Sequence, residues 1–274
     1  MISRRPSPQI LEKTKFAHAP TTGAQQVNSS YHRRVAFPSE LGNSTSRQLH
    51  GPSPALVIPV GSTEQHGPHL PLDTDTRIAA AVARGVAERL SVADHDSGWM
   101  LAPAIAYGAS GEHESFPGTV SIGNSALRLL LVEFGRSAVK WASRLVFVNG
   151  HGGNVEALAA AVALLRYEGR DAGWCSCGVR NGDAHAGHTE TSVLLHISPE
   201  LVRVDDMAPG NRAPLAELLP AMRSGGVAAV SELGVLGDPT TATAADGDRL
   251  LAEMIDGCAA RIERWTPDRD GMLT

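Results

Sequence analysis

An α/β domain built on a mainly parallel sheet is the fold this sequence predicts. Three observations carry the prediction: short apolar runs alternate with segments of helical period, no internal repeat is visible, and no linker-like gap interrupts the chain after residue 50. Residues 1–27 mix Pro, Ser, Thr and Gln with isolated charges and lack periodicity, so they read as a disordered tail ahead of a single domain over 28–274.

The elements follow in order. Ala55 to Val60 is an unbroken apolar run, which suits a strand buried on both faces. Asp75 to Leu90 has helical spacing and an acidic residue in its first turn. Met100 to Ala106 is a second strand candidate, and Ala126 to Trp141 returns to helical spacing. Leu145 to Val148 is a short buried strand, and Val155 to Tyr167 is a helix opened by Gly152, Gly153 and Asn154. Trp174 to Val179 continues the strand series. Glu190 to His196, Ala213 to Met222 and Gly247 to Arg264 are helices, the last carrying Arg261 and Arg264 near its carboxyl end.

Composition narrows the function. With 24 Lys and Arg against 29 Asp and Glu, the chain offers no basic face for a polyphosphate, so nucleic acid is excluded as a partner. No window reaches the roughly 20 apolar residues of a membrane helix. Arg4 and Arg5 lack an apolar stretch behind them, and an odd number of cysteines (Cys175, Cys177, Cys258) does not suit a secreted disulfide framework. A reducing, cytoplasmic setting is expected, with the cysteines as core fillers.

The 11 histidines are the oddity in this aromatic-poor chain. Ligands of parallel sheets bind at the carboxyl ends of strands, and the polar windows there are conspicuous. They are Gly61 to Asp75 (GSTEQHGPHLPLDTD), Glu112 to Thr119 (EHESFPGT), Asn149 to Asn154 (NGHGGN), and the segment with Asp183, His185, His188 and Glu190. Glu64 and His66, two apart in extended chain, project to one side. Burying Glu64, His66, Asp75, His151 and Glu190 together is expensive without a cation. A set of His and carboxylate without nearby Cys suits Zn, Mn or Fe(II), and a shared carboxylate can bridge two ions. His69 and Asp73 read as loop hydrogen-bonding groups. His113, between Glu112 and Glu114, reads equally as a solvated rim or as a substrate-side group. Ser62 sits beside Gly61 without a G-x-S-x-G elbow, so its hydroxyl reads as a backbone cap and not as a nucleophile.

Taken together these windows, with GVLGDPTTAT at Gly234 to Thr243, resemble the creatininase family of metal-dependent amidohydrolases over residues 55 to about 245. The resemblance implies a three-layer α/β/α sandwich, assembled as a homo-oligomer, commonly a hexamer. It implies two divalent ions per subunit: Glu64 and His151 on one, His66 and Glu190 on the other, Asp75 bridging. His185 matches a position near the scissile bond, which makes it the first candidate for the general acid, with His113 second. Creatinine hydrolases of the family carry Glu two residues after the histidine of NGH, where this chain has Gly153. The segment SSYHRRVAFPSELGNSTS, with the HTETS ending, is similar to the mycofactocin-system branch. That branch implies a short modified peptide as substrate, cleaved to release its C-terminal Val-Tyr-derived unit. The other readings are hydrolysis of a small cyclic or linear amide and an inert metal-binding scaffold.

Overall fold

The computed structural model describes residues 39–51, 53–93 and 98–274. The tail expected over 1–27 lies outside them.

Strand β1 (Ala55–Val60) is buried along its whole length, as an apolar run without alternation requires when both faces are covered. It pairs in parallel with β2 (Trp99–Leu101) on one side and β3 (Arg144–Asn149) on the other, and β3 pairs in parallel with β4 (Ala172–Ser176). The sheet order is β2-β1-β3-β4. Strand β2 stops short of the expected 100–106. Pro59 in β1 has no N–H to give on the β2 side, Pro103 lacks one too, and regular pairing ends at Val57 with Leu101. Single bonds carry the chain onward, Ala102 N–H to Val57 O and Ile105 N–H to Pro59 O.

Alternation along the strands divides the core. Leu56, Ile58, Leu145, Phe147 and Trp174 face one layer, formed by α2 (Gly123–Ala138) and α3 (Val155–Tyr167). Val57, Val146, Val148, Cys175 and Cys177 face the other, formed by α1 (Thr74–Ala93), α4 (His188–Ile197) and α6 (Ala244–Arg264). This is the α/β/α sandwich. A further helix, α5 (Leu215–Gly225), buries Leu218 in a small cluster with Val227 and Leu236. Helix α6 starts earlier than its apolar spacing indicates, because the Thr243 hydroxyl accepts from Asp246 N–H as an N-cap.

The helix after β1 covers one face and the helix after β3 covers the other. The chain therefore diverges at the carboxyl ends of these neighbouring strands and leaves a crevice at a topological switch point. The loops after β1 and β3 empty into it.

Candidate metal centre

The loop after β1 is folded back on itself: Glu64 N–H donates to Leu72 O at 2.9 Å. This return places Asp75, in the first turn of α1, under Glu64 and His66. The segment 116–120 is stitched to the same loop, since Thr119 Oγ1 accepts from Gln65 N–H at 3.0 Å and Thr63 O accepts from Val120 N–H at 2.9 Å. His113 thereby reaches the crevice. From β3, the Asn149 side chain brackets His151, donating to its carbonyl at 2.7 Å and accepting from its N–H. Asn154 ties the ends together, accepting from Ala109 N–H and donating to Gly61 O and Asn149 Oδ1. Glu190 enters from the first turn of α4, where Ala186 N–H donates to its Oε2 at 2.6 Å.

The seven residues singled out as ligands or acids all meet in this crevice. Asp75 lies between two imidazoles, 3.1 Å from His66 Nε2 through Oδ1 and 3.1 Å from His151 Nδ1 through Oδ2. Glu64 is also flanked, with Oε2 3.2 Å from His151 Nε2 and Oε1 3.3 Å from His113 Nε2 and 3.8 Å from His185 Nδ1. Glu190 Oε2 is 3.8 Å from His66 Nε2. Three groupings among the described residues bring ligand-capable atoms close enough for one ion: Glu64, His66 and Asp75; His66, His185 and Glu190; Glu64, His113 and His185.

Glu64 is fully buried, and neither of its carboxylate oxygens makes a hydrogen bond of acceptable geometry in the protein. Such a group is costly unless a cation completes it. The electrostatics agree. Burial, reinforced by Asp75, pushes the Glu64 carboxyl up to about 7. Burial likewise raises Glu190 to about 7 against the pull of His66. Burial acts to lower His66 and His151, yet their carboxylate neighbours hold them up at about 10 and about 9. Asp75 is held well below its usual value: burial works against this, and His66 and His151 overcome it. Without a metal, protons supply the positive charge that this donor set demands, so the residues fit divalent ions.

His113 and His185 go the other way, His113 down to about 3 and His185 well below its usual value, through burial and the neighbouring cationic imidazoles. His113 is buried, so it is not a solvated rim. Ser62 does not cap the backbone; its hydroxyl donates to Asp75 Oδ2 at 2.8 Å and orients the carboxylate. His69 bonds Thr191 Oγ1 at 2.9 Å, and His188 stands apart, 2.9 Å from Thr241 Oγ1. Glu112 reaches only the edge, 3.9 Å from His151 Nε2. Sequence reasoning missed Gln65, Ser110 and Asn154. Of these, Gln65 contacts both His113 and His185, at 2.8 and 3.0 Å.

A cavity of about 440 Å³ opens over the cluster. One wall carries Glu112, His113, His151, His185 and Glu190; Leu215, Leu219 and Met222 of α5 form an apolar wall. Gly153 lies at its floor, where a Cβ would overlap Ala109 O and His151 Nε2 and approach Glu112 Oε1. A glutamate placed there by Gly153→Glu is expected to displace His151 and lower bound metal and any activity that depends on it at least tenfold. Metal analysis and steady-state assays check this.

The creatininase family model, described as creatinine amidohydrolase, matches residues 40–262. The mycofactocin precursor peptide peptidase of Mycolicibacterium smegmatis is 74% identical over 249 residues, covering 90% of this chain and 100% of its own. The protein of the same name from Mycobacterium ulcerans is 69% identical over 250 residues, again 90% of this chain and 100% of its own. A solved structure described as "Creatininase Mn" superposes with a TM-score of 0.68 at 27% identity, covering 84% of this chain and 99% of the other.

Proposed function

The chain belongs to the creatininase family, and from that premise we propose that it is a metal-dependent peptidase acting on the modified mycofactocin precursor peptide, releasing its C-terminal Val-Tyr-derived unit. The observation that supports this most is the set of five ligand-capable residues that includes a buried Glu64 whose oxygens make no hydrogen bond, in a chain 74% identical to a peptidase along that relative's full length.

Glu64 and His151 would hold one ion and His66 and Glu190 the other, and Asp75 would serve both, since each of its oxygens faces a different imidazole. Two divalent ions, when bound, bring the pKa of water from 15.7 towards ~7 and polarise an amide carbonyl. Ser62 holds Asp75 in register, and the Asn149 side chain fixes the His151 backbone. An amine leaves only if it is protonated, and His185 is placed to carry that proton: its Nδ1 faces the cluster while its Nε2 lies 2.9 Å from Gln65 O. The apolar wall of α5 suits the aromatic product unit.

Working state and boundaries complete the reading. The domain is read as 28–274, and every site residue lies at or beyond Glu64. A chain starting at residue 28 is expected to keep kcat within about twofold; a larger loss would give the tail a working role. Exposed Leu129 and Leu130 on α2 suit a homo-oligomer, which sedimentation measures. The three cysteines are buried and unpaired, in keeping with a reducing cytoplasm, and no described helix is long and apolar enough to cross a membrane.

Incubation with the modified precursor peptide and, separately, with creatinine tests the substrate. Mass spectrometry should find the C-terminal fragment only with the peptide, and a chelator should abolish it. Creatine from creatinine alone would favour the small-amide reading. Bound metal without cleavage of either would favour an inert scaffold.

A further inference from the structure

Gln65 sits between the two histidines left outside the ligand assignment, and its amide orientation is fixed by groups whose hydrogen-bonding character is not negotiable. Its Oε1 accepts from Gly67 N–H at 2.9 Å, and its Nε2 lies 3.1 Å from Gly234 O. The carbonyl of Gly234 demands a donor and the N–H of Gly67 demands an acceptor, so the amide is not flipped.

The hydrogens can then be counted. Nε2 has two, and one goes to Gly234 O. Two ring nitrogens compete for the other, His113 Nδ1 at 2.8 Å and His185 Nε2 at 3.0 Å. His185 Nε2 also lies 2.9 Å from Gln65 O, a pure acceptor, so that nitrogen carries hydrogen and donates to the carbonyl. The second amide hydrogen therefore goes to His113 Nδ1, which must be bare. The reverse assignment leaves a carbonyl facing a lone pair and three acceptors sharing two hydrogens.

Both rings are thus Nε2–H tautomers, but they meet the site by opposite ends. His113 turns Nε2–H towards Glu64 Oε1, 3.3 Å away, and His185 turns a bare Nδ1 towards the same oxygen, 3.8 Å away. We infer that Gln65 is a positioning residue that divides the pair into a fixed N–H donor, His113, for the oxygen of the scissile carbonyl, and a lone-pair bearer, His185. The Gln65 N–H occupies the lone pair of His113 Nδ1, so the ring presents its hydrogen at Nε2 as a donor in the manner of an oxyanion hole. That removes His113 from the general-acid candidates. The division of roles rests on the hydrolase reading; the tautomers do not.

Solid-state NMR of the full-length, zinc-loaded protein labelled with 15N-histidine reads the tautomers without any substrate. The wild type should show His113 protonated at Nε2 and bare at Nδ1, identified by the signal lost in His113→Leu. Gln65→Glu offers an acceptor where the donor stood and should move the His113 hydrogen to Nδ1. With the peptide substrate, kcat for Gln65→Glu should fall by ~10²–10³, the cost of one lost oxyanion donor, with KM changed less than threefold. His113→Gln keeps an N–H and should retain at least tenfold more kcat than His113→Leu, which guards against a Gln65 variant that does not fold. Hydrogen on Nδ1 in the wild type, an unmoved tautomer in Gln65→Glu, or equal kcat for the two His113 variants would each overturn the inference. Failure to cleave the peptide at all overturns the hydrolase reading and leaves the tautomer result standing.

Discussion

Glu64→Gln is expected to abolish metal occupancy and turnover while leaving the metal-free protein at least as stable as the wild type. The two effects have opposite signs because Glu64 serves the ion and not the fold. Its carboxyl is raised from 4.5 to about 7 by burial and by Asp75, so ionised Glu64 opposes folding in the metal-free state. The sign is direct: a raised carboxyl loses stability as pH climbs from 4.5 to about 7, and a neutral amide of the same shape escapes that loss. Leaving a buried acceptor unpaired costs ~1–3 kcal/mol, which sets the scale of the gain. Turnover should fall well beyond the 10–100-fold typical of a supporting residue. Metal analysis, thermal unfolding with and without chelator, and peptide assays read the three quantities. Wild-type metal content with wild-type kcat would remove Glu64 from the ligand set.

Ion binding is expected to release at least about two protons per subunit at pH 7.5 and to tighten as pH rises. Metal-ligating imidazoles must be neutral, yet His66 and His151 hold their protons up to about 10 and about 9. Each must therefore surrender one when the ions enter. Lowering pH strengthens the competing proton, so affinity falls between pH 8 and pH 6, helped by Glu64 and Glu190 titrating at about 7. The metal-free protein should respond in the opposite direction. A histidine raised in the folded state contributes stability fully present below its unfolded value near 6.5 and lost as pH rises through 9 to 10. Asp75, depressed in the fold, contributes above 3.8 and loses its contribution as pH falls below that value. Calorimetry in buffers of different ionisation enthalpy counts the protons, and melting curves from pH 6 to 10 give the second trend. Release of no protons would mean that other residues take the metals.

Much of this was legible because the chemistry is local to strand ends. The unbroken run of β1 announces a strand covered on both faces, and the polar text immediately after β1 and β3 marks the carboxyl edge. The residues that escaped did so for physical reasons. Gln65, between Glu64 and His66, is sent to the opposite side by period-two reasoning, but the loop leaves extended geometry and turns its amide back to two histidines far along the chain. Ser62 reads as an ordinary hydroxyl until α1 delivers Asp75 beside it. Asn154 looks like a helix-entry residue, and only the folded crevice reveals its bonds to the ends of both β1 and β3. The early end of β2 depends on Pro59 in its neighbour, which no window on β2 contains, together with Pro103 inside the expected run.

The spread of the donors along the chain has a consequence for how the metal is chosen. Glu64 follows the first strand and Glu190 belongs to α4, which is laid down after the last strand, β4. Neither the amino-terminal nor the carboxyl-terminal half of the polypeptide holds the whole donor set, so a half-made or unfolded chain has only scattered imidazoles and carboxylates. Loose donors of that kind rank divalent ions by intrinsic affinity, with copper ahead. Here the sheet must be assembled and α4 docked before the donors converge, which puts selection after folding. Discrimination among ions would then rest with the donors that the folded crevice brings together.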